Sequence, residues 1–131
     1  IYCIMFVIKK CKYVKLTKNS VKHMTKDTSA AMSNYLVQML HVKFVGKSKF
    51  GTDRYSVVIS DGCHFVHGMI CETFNDLVTS GNLTKHSVVF VTDYVTHFVQ
   101  GKPLVIILGL SVLTKLDSKI GSPIEYNLLQ C

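Results

Sequence analysis

The chain has 131 residues, 15 Lys plus Arg against 8 Asp plus Glu, 48% apolar residues, five cysteines and two prolines. A chain of this length buries about two thirds of the surface it exposes when unfolded, enough for one domain with its own core and no need of disulfides or metal. The apolar fraction excludes intrinsic disorder, and a sparse, odd set of cysteines is not the framework of a stapled secreted domain, so a reducing compartment is expected.

The opening Ile1 to Ile8 is apolar, but its lysines follow the apolar stretch, the reverse of a signal peptide. The start at Ile1 and the stop at Cys131 suggest a piece of a longer polypeptide. Leu16-Thr17 followed by Val21 predicts a short helix, with the Thr17 hydroxyl as N-cap and Leu16 stapled onto Val21. Polar residues from Thr25 to Ser33 lead into a β-rich block.

The first strand is predicted over Tyr35 to Val45, where Leu40, Val42 and Phe44 alternate with His41 and Lys43. After a turn over Gly46 to Thr52, Arg54 to Ser60 reads as strand two, with Tyr55, Val57 and Ile59 on one side and Arg54, Ser56 and Val58 on the other. Asp61-Gly62 signals a hairpin with positive φ at both residues, leading into strand three over Cys63 to Ile70. Thr73 is placed as the cap of a helix in which Phe74, Leu77 and Val78 share a face, and Gly81 as its left-handed stop. Strand four spans Ser87 to Val99, Gln100-Gly101-Lys102 forms a turn, and Pro103 to Leu113 forms strand five. The apolar run from Leu104 to Leu113 is about half the ~20 residues that cross a bilayer, so it reads as a buried strand and no membrane association is expected.

Three strands, a helix and two more strands give the order of an oligonucleotide/oligosaccharide-binding (OB) fold, an all-β five-stranded barrel with a short helix between strands three and four and a second short helix before strand one. The expected organisation is a basic extension over residues 1–15, the barrel over 16–127 and a tail over 128–131.

The net charge of +7 is unevenly distributed. Residues 1–26 hold seven lysines and no acid, whereas residues 27–131 hold eight basic and eight acidic side chains. Within that neutral body, Lys43, Lys47, Lys49 and Arg54 are opposed locally only by Asp53, which leaves room for a basic patch.

Most constellations that would carry chemistry fail on geometry. Gly46-Lys47-Ser48 ends like a phosphate-binding loop, but His41 stands where that loop needs glycine and Gly51 interrupts the helix that should follow. Cys63, His64, His67 and Cys71 resemble metal ligands, yet a strand turns His64 away from the other three and sets Cys63 and Cys71 about 26 Å apart. No nucleophile is paired with a base, so no catalysis and no cofactor are expected. Asn82-Leu83-Thr84 is read as a chance match to a glycosylation acceptor. Single-strand binding by a barrel would need aromatic platforms. Tyr55 and Phe65 fall at alternating apolar positions and are assigned to the core, leaving Tyr94 and Phe98 as the exposed candidates.

Leu16-Thr17 before a short helix, Gln38 and Lys43 in strand one, Arg54-Tyr55 running into Ser60-Asp61-Gly62, and Lys119-Ile120-Gly121-Ser122-Pro123 with Tyr126-Asn127 resemble the N-terminal domain of the largest subunit of replication protein A. The resemblance covers residues 16–127. It implies a nuclear, non-enzymatic module of a single-stranded-DNA-binding complex used in DNA replication, repair and the damage response. Such a module recruits acidic amphipathic segments of replication, repair and checkpoint proteins into a basic groove with an apolar floor, joins its partner subunits through the rest of its chain, and binds single-stranded DNA weakly.

Carried over by position, Lys43, Arg54 and Lys102 match basic wall residues, Leu104 and Ile106 match the floor, and Ser56 and Gly68 stand where members carry a basic residue and a serine. Pro103 also replaces a basic residue, and the turn before strand five is shorter. These departures imply a less basic groove unless Lys47 and Lys49 compensate. The alternative is a direct single-stranded nucleic-acid binder that uses the lysine-rich arm and the exposed aromatics.

Overall fold

The computed structural model describes residues 14–26 and 34–126. In chain order it contains α1 (Ser20–Lys26), β1 (Tyr35–Lys47), β2 (Asp53–Ser60), β3 (His64–Ile70), a 3-10 turn (Glu72–Phe74), α2 (Asn75–Thr79), β4 (Ser87–Val99), β5 (Lys102–Lys115) and β6 (Ile124–Glu125). Of the expected N-terminal extension, residues 1–13 lie outside the described residues, as do the expected tail over 128–131 and most of the polar connection before β1.

The strands close in the order β1-β2-β3-β5-β4 and back to β1, with β6 added to β3. The β3–β5 and β3–β6 pairs are parallel and the rest antiparallel. This closed barrel with two short helices is the OB fold expected from element order. The short β6, paired with His64 and Phe65, adds to that expectation, since two residues carry no periodicity of their own.

Alternation along β2 sends Tyr55, Val57 and Ile59 into the barrel, where they meet Val37, Met39, Val66, Val89, Val105 and Ile107. α1 is too short to stand alone in water. It is held by burying Val21 and Met24 completely, worth about 1.5–3 kcal/mol each, and by a bond from Thr96 Oγ1 to the Met24 carbonyl at 2.5 Å.

A second, smaller core explains why Tyr35 to Met39 are all buried. Val14, Leu16, Leu36 and Val88 cluster on the outside of the barrel with Phe90, Leu113, Leu116 and Ile120, so this half of β1 is covered on both faces. Gln38 is fully buried beneath that layer. Its Nε2 donates to the carbonyls of His86 (3.3 Å) and Ser118 (3.0 Å), and its Oε1 accepts from the Ile120 N–H at 2.8 Å. A buried amide satisfied in this way fixes the 118–120 segment onto the barrel.

Several local expectations are corrected. The Thr17 hydroxyl does not cap α1; it accepts from the Leu36 N–H at 2.8 Å, tying the chain to β1. The acceptor for α1 is Asp61, whose Oδ2 takes the Val21 N–H at 3.2 Å. Leu16 and Val21 belong to different cores, so they form no staple. Asp61 is not at positive φ; only Gly62 is (φ 93°), and the Asp61 Oδ1 accepts from the N–H groups of Cys63 and His64. Thr73 lies inside the 3-10 turn, and neither short helix after β3 has a side-chain cap. Gly81 does end α2 in the left-handed region (φ 83°).

His86 sits at φ 71° between α2 and β4. Burial, then the charges of Lys85, Lys115 and His41, hold its imidazole below the ordinary value of 6.5, against an opposing hydrogen bond at the Asp117 backbone. Below about pH 6.5 the unfolded chain therefore takes up a proton that the folded chain resists, and stability falls as pH drops toward the folded-state value. Denaturant melts at pH 7.5 and 5.5 should show a smaller loss for His86→Asn, since Asn tolerates positive φ. An equal loss in both proteins would refute this account.

Candidate functional site

Register places most of the predicted residues in outward-facing rows that run along the barrel wall from β1 through β2 and β3 to β5. Lys43 on β1 stands opposite Ser56 on β2, Ser56 opposite Met69 on β3, Met69 opposite Ile106 on β5, and Ile106 opposite Val95 on β4. Lys43 is exposed and the other four are half-buried, as expected for one row on the outside of the barrel. The neighbouring row holds His41, Val58 and His67, with Leu104 opposite His97.

Arg54, exposed and two residues before Ser56, lies at the β1–β2 hairpin end of this face. Lys102, exposed and two residues before Leu104, lies at the other end, where β5 begins. From Lys43 across to Ile106 is three strand spacings, about 14 Å, and from Ile106 down to Lys102 is four residues, about 13 Å. Followed along the barrel wall, the path from Lys43 to Lys102 is thus about 20 Å, and the curvature of the wall makes the straight line between them shorter. The three cations bracket an apolar strip of Val58, Met69, Leu104 and Ile106 rather than meeting at one point.

Gly68 does not join them. It pairs with Val57 and Val105, both buried residues of the core, and is itself buried. A Cβ built on it would lie 2.5 Å from the Val105 carbonyl oxygen and 2.9 Å from Ile59 Cδ1. The outward residue at this point of β3 is the next one, Met69. The parity of Phe65, His67 and Met69 along β3 carries that signal in the sequence.

The β1–β2 loop is organised by Ser48, whose Oγ accepts from the N–H groups of Phe50 and Thr52 at 3.3 Å each. At its neck Lys47 Nζ pairs with Asp53 Oδ1 at 2.5 Å, so Lys47 is already matched within the hairpin. Lys49 lies over the Phe50 ring, 5.5 Å from its centroid, and Phe50 is 84% exposed. On the other side of the face, His67 Nε2 lies 3.6 Å from a Glu125 carboxylate oxygen supplied by β6.

The aromatic assignments divide. Tyr55 is buried, with Phe44 edge-on at 5.9 Å, and Phe98 is 47% exposed. Tyr94, expected on the surface, is 1% exposed and packs near Tyr35 with centroids 6.1 Å apart. Register irregularities between Val91 and Tyr94 shift the inward parity of β4, so Val89 and Val91 are followed inward by Tyr94 and Thr96. Gly109 faces this bulge, where a Cβ would lie 2.5 Å from Thr92 Oγ1. Phe65, assigned to the core, has outward parity; it is half-buried and edge-on to His67 at 6.0 Å.

Cys63 and Cys71 are free thiols at opposite ends of β3. Among the described residues no group of His, Cys, Asp and Glu is arranged to hold a metal ion, and no helix is long and apolar enough to cross a membrane. What this face offers is adsorption: aliphatic area flanked by positive charge on flexible stems.

The family model described as replication factor-A protein 1, N-terminal domain, matches residues 16–115. Over 89 residues the chain is 35% identical to a replication protein A 70 kDa DNA-binding subunit of Arabidopsis thaliana, covering 67% of this chain and 14% of that protein. It is 33% identical over 103 residues to replication factor A protein 1 of Schizosaccharomyces pombe, covering 76% and 17% respectively. The Drosophila melanogaster 70 kDa DNA-binding subunit is 32% identical over 99 residues, or 70% and 16%. The chain spans less than a fifth of the length of each of these relatives.

Proposed function

The chain belongs to the family of the replication factor-A protein 1 N-terminal domain, and on that basis we propose that it is the protein-recruitment module of a replication protein A complex. Its ligand is an acidic amphipathic segment of a replication, repair or checkpoint protein, disordered when free. The remainder of the longer protein supplies the contacts to other subunits, and the site of action is the nucleus.

The observation that carries this reading is the cross-strand register that lays Val58, Met69, Leu104 and Ile106 between Lys43 and Arg54 at one end and Lys102 at the other. A segment that folds on this face buries its apolar side on the strip and directs carboxylates to both ends. Arginine at position 54 offers a planar fork that grips a carboxylate through two N–H groups, whereas the lysines act as point charges. Ser56 supplies a hydroxyl in place of a further charge, so the strip contributes a larger share of the binding energy. Lys47, matched by Asp53, and the inward Gly68 are left out of the ligand set.

The test is a titration of a labelled acidic amphipathic peptide, about 15 residues long, at two salt concentrations. Binding should weaken with salt, because exposed charges are screened over about 8–10 Å near physiological ionic strength. Arg54→Glu should lower affinity at least about tenfold, or 1.4 kcal/mol, while Lys47→Ala should change it little. Unchanged affinity in Arg54→Glu would reject the site.

A further inference from the structure

We propose that Glu125 is a built-in competitor for the acidic ligand: its carboxylate occupies His67, at the middle of the docking face, and a ligand carboxylate gains that position only by displacing it. This inference rests on the peptide-binding reading and deepens it, since it states which part of the face discriminates among acidic segments.

His67 interrupts the apolar strip. On β3 it stands opposite Val58 of β2 and beside Leu104 of β5, one residue before the Gly68–Val105 pair, with Met69 next along the same side of its own strand. A ligand that lies on Val58, Met69 and Leu104 therefore passes over an imidazole. That imidazole is exposed, so it is open to a ligand rather than committed to the core. The same row continues to His41, opposite Val58, and to His97, opposite Leu104, both of them exposed.

Glu125 reaches this point because β6 is pinned on both sides of it. The N–H of Ile124 donates to the Cys63 carbonyl at 3.1 Å, and the N–H of Tyr126 donates to the Phe65 carbonyl at 2.9 Å. Tyr126 is buried in the main core and lies edge-on to His64 with ring centroids 5.6 Å apart. The backbone of Glu125 is thereby fixed while its carboxylate stays outside, one oxygen 3.6 Å from His67 Nε2. A ligand segment that is disordered when free must order its own carboxylate to take this place, a cost that Glu125 does not bear.

The charges around His67 make Glu125 the odd one out. Val58 and Leu104 bring none, and Phe65 presents a ring edge from the same strand. The other ionisable groups that register and chain position set along these rows are His41, Lys43, Arg54, His97 and Lys102, each a cation or a potential one. Other acids are occupied or lie elsewhere: Asp53 is matched by Lys47, Asp61 is buried, Glu72 and Asp76 follow β3, Asp93 sits at the β4 bulge, and Asp117 adjoins Leu116 of the smaller core. Imidazoles ordinarily change charge between pH 5 and 8. As pH falls, the hold of Glu125 on His67 strengthens, and so does the attraction for any carboxylate that replaces it. With Glu125 in place, a central carboxylate on the ligand adds little, and selection rests on the cations at the two ends.

The experiment uses the whole chain at pH 6.0 and pH 8.0, on either side of the ordinary imidazole range, with two acidic amphipathic peptides that differ only in a central Glu or Gln. The parent should bind the two with affinities within about a factor of two. At pH 6.0 Glu125→Gln should bind the central-Glu peptide about two- to fivefold more tightly than the parent does, the range of an exposed ion pair, and should prefer it to the central-Gln peptide by a similar factor. Most of that preference should vanish at pH 8.0, and His67→Gln/Glu125→Gln should lack it at both. Asp117→Asn, the same charge change outside these rows, should leave affinity unaltered, and Glu125→Ala serves as the second variant if Glu125→Gln lowers Tm. The proposal is overturned, with the docking face intact, if Arg54→Glu weakens binding but Glu125→Gln matches the parent, keeps its gain without His67, or gains no more than Asp117→Asn. If neither peptide binds, or Arg54→Glu changes nothing, the docking face falls and this proposal with it.

Discussion

Gly68→Ala should destabilise the domain by about 3 kcal/mol or more, seen as a fall in Tm on the order of 10 °C. The added methyl has nowhere to go. Its nearest neighbour is the Val105 carbonyl oxygen at 2.5 Å, which belongs to the adjacent strand and not to a flexible side chain. Relief requires β3 and β5 to separate where Gly68, Met69 and Ile70 pair with Val105, Ile106 and Ile107, and a closed barrel has no free edge along which to shift. Gly68 is not at positive φ, so the cost is steric and would be larger still for valine. Ser56→Ala, on the outward face of the neighbouring strand, serves as the control and should change Tm by a few degrees at most. Peptide affinity of the folded fraction should be unaltered in Gly68→Ala, because position 68 does not face the proposed ligand. A variant as stable as the parent would show that the β3–β5 pairing is looser than this geometry requires.

Asp61→Ala should cost a comparable amount, about 3–4 kcal/mol, for a different reason. One buried carboxylate accepts from Val21 N–H in α1 and from Cys63 and His64 N–H in the β2–β3 turn, at 3.2, 2.9 and 2.8 Å. Hydrogen bonds to charged groups contribute about 1.5–3 kcal/mol each, and losing the acceptor leaves donors in a protein environment without their partner. Most domains have only about 5–15 kcal/mol to lose. Asp61→Asn keeps one carbonyl oxygen for the turn but sets an amide N–H against Val21 N–H, so its stability should fall between the parent and Asp61→Ala. Amide exchange supplies the finer readout: in Asp61→Ala, protection should drop in both α1 and the turn. Loss confined to the turn would show that α1 does not depend on this cap.

These two positions mark where sequence reading works and where it stops. Alternation of apolar and polar residues needs only backbone geometry, and it located all five barrel strands and the outward set Arg54, Ser56 and Val58, while the order of elements along the chain pointed to the fold class. Ser60-Asp61-Gly62 was legible as a turn. That the Asp61 side chain would cap a helix 40 residues earlier was not, because local signals favoured Thr17, which tertiary structure committed instead to β1.

The face proposed to bind partners was partly legible. Lys43, Arg54, Lys102, Leu104 and Ile106 follow from positional resemblance and strand parity together. Parity alone would have replaced Gly68 by Met69, and no local pattern announces the bulge near Asp93 that draws Tyr94 inward. Pairing of Lys47 with Asp53 likewise depends on how tightly the hairpin neck closes.

Composition, periodicity and turn chemistry were thus sufficient for the architecture, since each rests on interactions among near neighbours in the chain. Which side chains point outward together and which glycine is steric rather than exposed were settled only by strand register and by packing of the chain's first and last segments. Those depend on contacts between residues as far apart as Gln38 and Ile120, which a one-dimensional pattern does not encode.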